Sequence, residues 1–161
     1  ASCCARGRST CGSLAGSRRG ASISHLRACL AAETSTLRIV FLDIDGVLNS
    51  WRSILASVHP MGFDPVACRL TAWLLRGSGA RFVVSSAWRE GRTRAEMLAV
   101  LDTADLPCEH MHEDWATATC GSRGEEVLQW LSAHREVERW CVLDDGIELE
   151  LVEEANQECR F

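Results

Sequence analysis

The rhythm of apolar and polar positions changes at residue 37. Residues 1–32 show no regular apolar period and are rich in Ser and Gly. Leu37-Arg-Ile-Val-Phe-Leu42 is then a short, β-branched apolar run, as expected of a strand buried on both faces. It ends in Asp43-Ile-Asp-Gly-Val-Leu-Asn49, which sets two carboxylates at its C-terminal tip. Downstream, Asp64 fits an N-cap with Pro65 in the first helical position. Val66, Leu70, Trp73 and Leu74 share one apolar stripe of that helix, which Gly77 and Gly79 close. Ala80-Arg-Phe-Val-Val84 is a second buried run, ending in Ser85-Ser-Ala-Trp-Arg89. Thr93 with Glu96 makes a capping box for a helix whose apolar side includes Met97, Leu98 and Leu101. A third strand is expected from Pro107 to Met111. Ser122 with Glu125 forms another capping box, opening a helix lined by Val127, Leu128 and Leu131. Trp140-Cys-Val-Leu143 is a last strand, ending in Asp144-Asp145. Strands alternating with helices predict an α/β domain with a parallel sheet.

Composition narrows the class. With 161 residues, 47% apolar and 24% charged, the chain has the balance of one globular domain. No apolar run approaches the roughly 20 residues of a membrane span. A net charge of −5 argues against wholesale coating of nucleic acid, although a local basic site remains compatible with it. Every basic residue is Arg, so any fixed cation in a site must be a guanidinium. The head, residues 1–32, holds five Arg and no acid, and the remainder holds 12 Arg against 22 acids. Residues 1–36 therefore read as a disordered leader or a non-native extension, and 37–161 as the folded domain. An Arg-rich, acid-poor head resembles an organellar transit peptide; otherwise the expected location is cytoplasmic. Nine Cys without a CxxC pair do not form a disulfide framework, and most of them read as buried thiols in a reducing compartment. Cys108, His110, His112 and Cys120 cluster in sequence, but their spacing matches zinc sites poorly.

One regularity points to chemistry. Asp43/Asp45, Ser85/Ser86 and Asp144/Asp145 each follow a strand, and parallel sheets bind ligands outside the carboxyl ends of their strands. Four carboxylates brought together need a cation, and oxygen ligands favour a hard ion such as Mg²⁺. An Asp beside Mg²⁺ can attack phosphorus, and a second carboxyl two residues on can protonate the leaving oxygen and later activate water. Hydroxyls and a fixed cation can hold the equatorial oxygens.

These residues resemble the motifs of haloacid dehalogenase-like (HAD) phosphatases. Asp43-Ile-Asp-Gly-Val-Leu resembles the first motif, Ser85 after Phe82-Val-Val84 the second, Arg123 the third and Asp144-Asp145 the fourth. In finer detail, Leu42 to Asn49, Ser85-Ser-Ala-Trp-Arg89, Arg123 to Leu131 and Leu143-Asp-Asp145 resemble the HAD domain of Swiss Army Knife RNA repair proteins. The resemblance implies a Rossmann-like three-layer α/β/α sandwich with a mainly parallel sheet. It implies Mg²⁺-dependent hydrolysis of phosphate esters, with nucleic-acid end phosphates or nucleotides as the substrate class. Asp43 would be the nucleophile and Asp45 the acid and base. Mg²⁺ would be held by Asp43, the Asp45 main-chain carbonyl, Asp144 and Asp145. Ser85, with Ser86, and Arg123 would bind the phosphoryl group; Arg123 replaces the commoner Lys of the family. Ser50 to Phe63 is too short for a folded cap domain.

Plainer readings stand beside these. An Asp-Gly turn after a strand is common, Ser85 and Ser86 can cap a loop, and Arg123 fits a solvated helix start. Trp51, Arg52, Trp88, Arg89 and Arg92 lie close in sequence to the first two motifs, where aromatics and Arg can stack on and pair with a nucleotide. Yet Trp88 and Trp130 read rather as structural, Arg89 rather as a buried ion-pair partner, and Glu148 to Glu154 as a solvated acidic face. The alternative function is an inactive HAD-fold module that binds a phosphorylated partner. Glu158 to Phe161 either opens a further strand in a truncated chain or ends a minimal version of the domain.

Overall fold

β1 (Leu37–Leu42) lies inside a four-stranded sheet of order β3-β2-β1-β4, with β2 (Arg81–Val84), β3 (Met111–Ala116) and β4 (Val137–Leu143). All three pairings are parallel. The structure is a computed structural model that describes residues 36–56 and 59–146. The leader reading, the acidic stretch Glu148–Glu154 and the segment Glu158–Phe161 lie outside the described residues, apart from Thr36. Among the described residues no helix is long and apolar enough to cross a membrane.

The helices are α1 (Trp51–Ala56), α2 (Pro65–Ser78), α3 (Arg94–Asp102) and α4 (Arg123–Ala133). Val40, Leu42, Phe82 and Val84 pack on one face of the sheet with Cys68, Ala72 and Leu75 of α2 and Met97 and Leu101 of α3. Ile39, Phe41 and Val83 pack on the other face with Val127 and Trp130 of α4. The result is the three-layer α/β/α sandwich. Because β1 is covered on both sides, Val40, Phe41 and Leu42 are all buried, and its carboxyl tip is held by two apolar layers. The chain steps from β1 to β2 to β3, then returns past β1 to β4. Ligands bind at such a reversal, outside the strand ends.

The local signals in the sequence act as read. Asp64 Oδ1 accepts from the Val66 amide at 2.8 Å, Pro65 opens α2, and Gly79 (φ +66°) ends it. Thr93/Glu96 and Ser122/Glu125 both close reciprocal capping boxes. Two expectations are corrected. Val66, Leu70 and Trp73 are exposed, and α2 buries Cys68, Thr71, Ala72 and Leu75 instead. Periodicity groups residues onto a face without saying which of two apolar faces is covered. Here the smaller side chains let the helix approach the sheet, and Trp73 stays outside. The third strand begins at Met111 rather than Pro107. Proline cannot donate to a ladder, and Cys108–His110 form a 3₁₀ turn, with His110 N donating to Pro107 O at 2.9 Å. Among the described residues, the segment between β1 and α2 carries the six-residue α1, pinned by the antiparallel bridge Asn49–Phe63.

Candidate active site at the carboxyl edge of the sheet

The strand ladders bring the first residues beyond β1, β2 and β4 side by side. Asp43 N donates to Leu143 O at 2.9 Å, and Ser85 N donates to Leu42 O at 3.0 Å. Asp43 therefore sits between Ser85 on one side and Asp144 on the other. Asp43, Asp144 and Asp145 can each offer a carboxylate oxygen, all within 4.8 Å of one another. Asp43 is buried, and Asp145 is exposed. Burial opposes the charge on Asp43 and raises its pKa above the ordinary carboxylate value. The Ser86 hydroxyl, the Ile44 amide and Arg123 pull it back down, while Asp144 adds to the rise.

Arg123 starts α4 and reaches both acids. Its Nη2 lies 3.9 Å from Asp43 Oδ1 and its Nε 3.4 Å from Asp144 Oδ2. It is not a solvated helix start; the guanidinium is only 26% exposed. Arg123 Nη1 and Ser85 Oγ are both buried without a hydrogen-bond partner among the described residues. Unsatisfied buried polar atoms are rare and call for a ligand or a strain explanation. Of the two serines, Ser86 bonds Asp43 and also caps the Ala87–Arg89 turn by accepting from the Trp88 amide. Ser85 is fully buried, with its hydroxyl unengaged.

Asp45 faces a different direction. Trp88 Nε1 donates to its Oδ2 at 2.8 Å and Asn49 Nδ2 to its Oδ1 at 2.7 Å. Asn49 is buried and also accepts from the Gly46 amide at 3.0 Å, which fixes the turn. Asp45 opens onto a cleft of about 620 Å³ lined by Ile54, His59, Met61 and Trp88 among others. Sequence reading assigned Asn49 no role and weighed Trp88 as structural against a stacking role at the mouth of the site. Asn49 lies within the first motif, so a polar residue closing the Asp-x-Asp-Gly turn was available as a signal. For the bond of Trp88 to Asp45 there was none, because the two are 43 residues apart.

Gly46 carries the tightest constraint. Its φ is +79°, and a Cβ there would come within 2.1 Å of Asp145 Oδ2. Gly46→Ala must therefore strain the turn and push the Asp145 carboxylate aside. Mg²⁺ affinity is expected to fall about 10–100-fold, the usual cost of disturbing a metal site's supports. Isothermal titration with Mg²⁺ checks this, and unchanged affinity would remove Asp145 from the site.

A donor set made only of carboxylate oxygens fits a hard divalent cation such as Mg²⁺. The Asp45 side chain is not part of this set, which leaves its main-chain carbonyl as the group it could offer. The sequence cluster Cys108, His110, His112 and Cys120 is scattered among separate partners. Cys108 bonds Leu98 O, His110 bonds Ala80 O, His112 bonds Asp114, and Cys120 bonds Gln129. Trp130 lies in the core and Arg89 forms a buried ion pair, as the sequence suggested.

The family described as the HAD domain in Swiss Army Knife RNA repair proteins matches residues 39–160. Neither the curated proteins nor the solved structures contain a match to the chain.

Proposed function

Since the chain belongs to the family of HAD domains in Swiss Army Knife RNA repair proteins, a domain of phosphohydrolase type, we propose that it is a Mg²⁺-dependent phosphomonoesterase working through an aspartyl-phosphate on Asp43. The observation that carries this reading is the surrounding of Asp43. Around it stand the acids Asp144 and Asp145 together with a guanidinium nitrogen of Arg123 and the Ser85 hydroxyl, both buried without a partner among the described residues. Mg²⁺ held by Asp43, Asp144, Asp145 and the Asp45 carbonyl would neutralise charge on the phosphoryl oxygens.

The chain's own residues divide the work. An Asp43 oxygen bonds to phosphorus as the bond to the leaving oxygen breaks, and Asp45 gives that oxygen its proton. Arg123, Ser85 and Ser86 hold the remaining phosphoryl oxygens, the cation at a helix N-terminus that already favours anions. Asp45, now a carboxylate, takes a proton from water. The water oxygen bonds to phosphorus, the bond to Asp43 breaks, and phosphate and free Asp43 result. Trp88 and Asn49 hold Asp45 for both steps.

The leaving group belongs on the Asp45 side, in the cleft lined by Trp88, His59 and Met61. An aromatic, open cleft suits the terminal phosphate of a nucleic acid or a nucleotide. The test is hydrolysis of an aryl phosphate with and without Mg²⁺, followed by nucleic-acid ends against free nucleotides. Turnover that needs Mg²⁺ supports the enzyme. Phosphate binding without turnover in a folded protein would instead make it a phospho-binding module.

A further inference from the structure

Arg89 is the most heavily bonded side chain next to the site. Its Nη1 donates to Ser85 O and Ser86 O, both at 2.7 Å. Its Nε donates to Thr117 O at 2.8 Å. Its Nη2 donates to Ala118 O at 3.1 Å and to Glu126 Oε2 at 2.7 Å. All five N–H bonds of the guanidinium are thus used, and the side chains of Arg89 and Glu126 are only 5% and 6% exposed. The bonds join three pieces of chain that are far apart in sequence: the turn after β2, the turn after β3, and α4.

Those pieces matter because of what they carry. The carbonyls that Arg89 grips belong to Ser85 and Ser86. Glu126 stands one turn along α4 from Arg123, on the same side of the helix. One rigid, planar fork therefore spans from the serine turn to the helix that presents the cation. A flexible ammonium with three donors could not make these five bonds.

We infer that Arg89 and Glu126 are positioning residues, a strut that sets the spacing between the Ser85–Ser86 turn and Arg123 and so shapes the seat for the phosphoryl group. This rests on the reading that these residues bind phosphate. Both strut side chains are buried and bonded within the protein, and neither belongs to the group Asp43, Asp144 and Asp145. The strut thus governs anion binding and leaves cation binding alone.

The experiment uses the full chain with Arg89→Lys, Glu126→Gln, Arg123→Ala and the double variant Arg89→Lys/Arg123→Ala. For each, titration calorimetry gives the affinities for inorganic phosphate and for Mg²⁺, and steady-state kinetics give kcat and KM on an aryl phosphate. The expected result is phosphate affinity and kcat/KM about 100-fold weaker in Arg89→Lys, as for a displacement near 1 Å, with Mg²⁺ affinity unchanged. Glu126→Gln, which keeps an acceptor at the same place, is expected to lose less in the same direction. It carries the test if Arg89→Lys does not fold. The losses of Arg89→Lys and Arg123→Ala should be less than multiplicative in the double variant, because both act on one seat. Folded single variants with parental phosphate affinity, or losses that multiply independently, would overturn the inference. A parent that binds phosphate without turnover would remove the hydrolase and leave the strut readable in phosphate affinity. A parent that turns over while Arg89→Lys and Glu126→Gln bind phosphate normally would do the reverse. A parent that does neither removes both.

Discussion

Asp43→Asn is expected to abolish Mg²⁺-dependent hydrolysis, lowering kcat by at least about 10⁴-fold as losses of a nucleophile do, while the protein stays folded. The amide is isosteric and can still accept from the Ser86 hydroxyl and the Ile44 amide that engage the carboxylate. What it cannot do is form the acyl phosphate. Stability should move the other way. Burial places the native pKa of Asp43 above its unfolded value, so its carboxylate is harder to ionise in the folded chain. As pH rises from the unfolded pKa towards the native one, the parent loses stability. Above the native pKa that loss is constant. The variant has no such charge, so in metal-free buffer at pH 7 its melting temperature should equal or exceed the parent's. Calorimetry with and without EDTA, run beside the kinetic assay, checks both halves. Retained turnover in the variant would move the nucleophile elsewhere.

Phe41→Ala is expected to cost about 3–5 kcal/mol, a large part of the ~5–15 kcal/mol that holds a domain of this kind together. Phe41 is fully buried. Its ring meets Trp130 edge-on at a centroid distance of 5.4 Å and Trp140 at 6.2 Å. It also lies in β1, two residues before Asp43 at the strand's carboxyl end, so its packing against α4 helps hold Asp43 near Arg123. Alanine removes the ring and leaves a cavity between sheet and helix that the two tryptophans cannot close. Urea unfolding should show a lower midpoint with an unchanged slope, and Phe41→Leu should fall between variant and parent. A loss below about 1 kcal/mol would mean that this face of the sheet is not a core.

Residues that act through their immediate neighbours were legible in the sequence. Asp64, Thr93 and Ser122 cap helices because each needs only backbone amides two or three residues ahead. The acids and hydroxyls at the strand ends could be located because a buried strand projects its next residue at the carboxyl edge. The α2 stripe failed because its rotation is chosen by packing space against the sheet, which periodicity does not encode. The grip of Arg89 on Glu126 and on four carbonyls was legible only as a buried ion pair, since its bonds reach up to 37 residues along the chain. The division of labour between Ser85 and Ser86 was equally hidden. Their hydroxyls differ through the 3₁₀ turn at Ala87–Arg89, which engages one and leaves the other unpartnered.

The edge that gathers Asp43, Ser85, Arg123 and Asp144 draws on every crossover of the sheet, and its last acids arrive only after β4 pairs with β1. Such non-local pairing is the slow part of folding, so the site is complete only when the whole sheet is. Whatever binds there binds the finished domain and not its unfolded chain. A ligand present at a hundred times its dissociation constant would add about 2.7 kcal/mol to the folding equilibrium. On the function proposed above, the concentrations of free magnesium and phosphate around the protein would then set how long each copy survives proteolysis, quite apart from how fast it turned over.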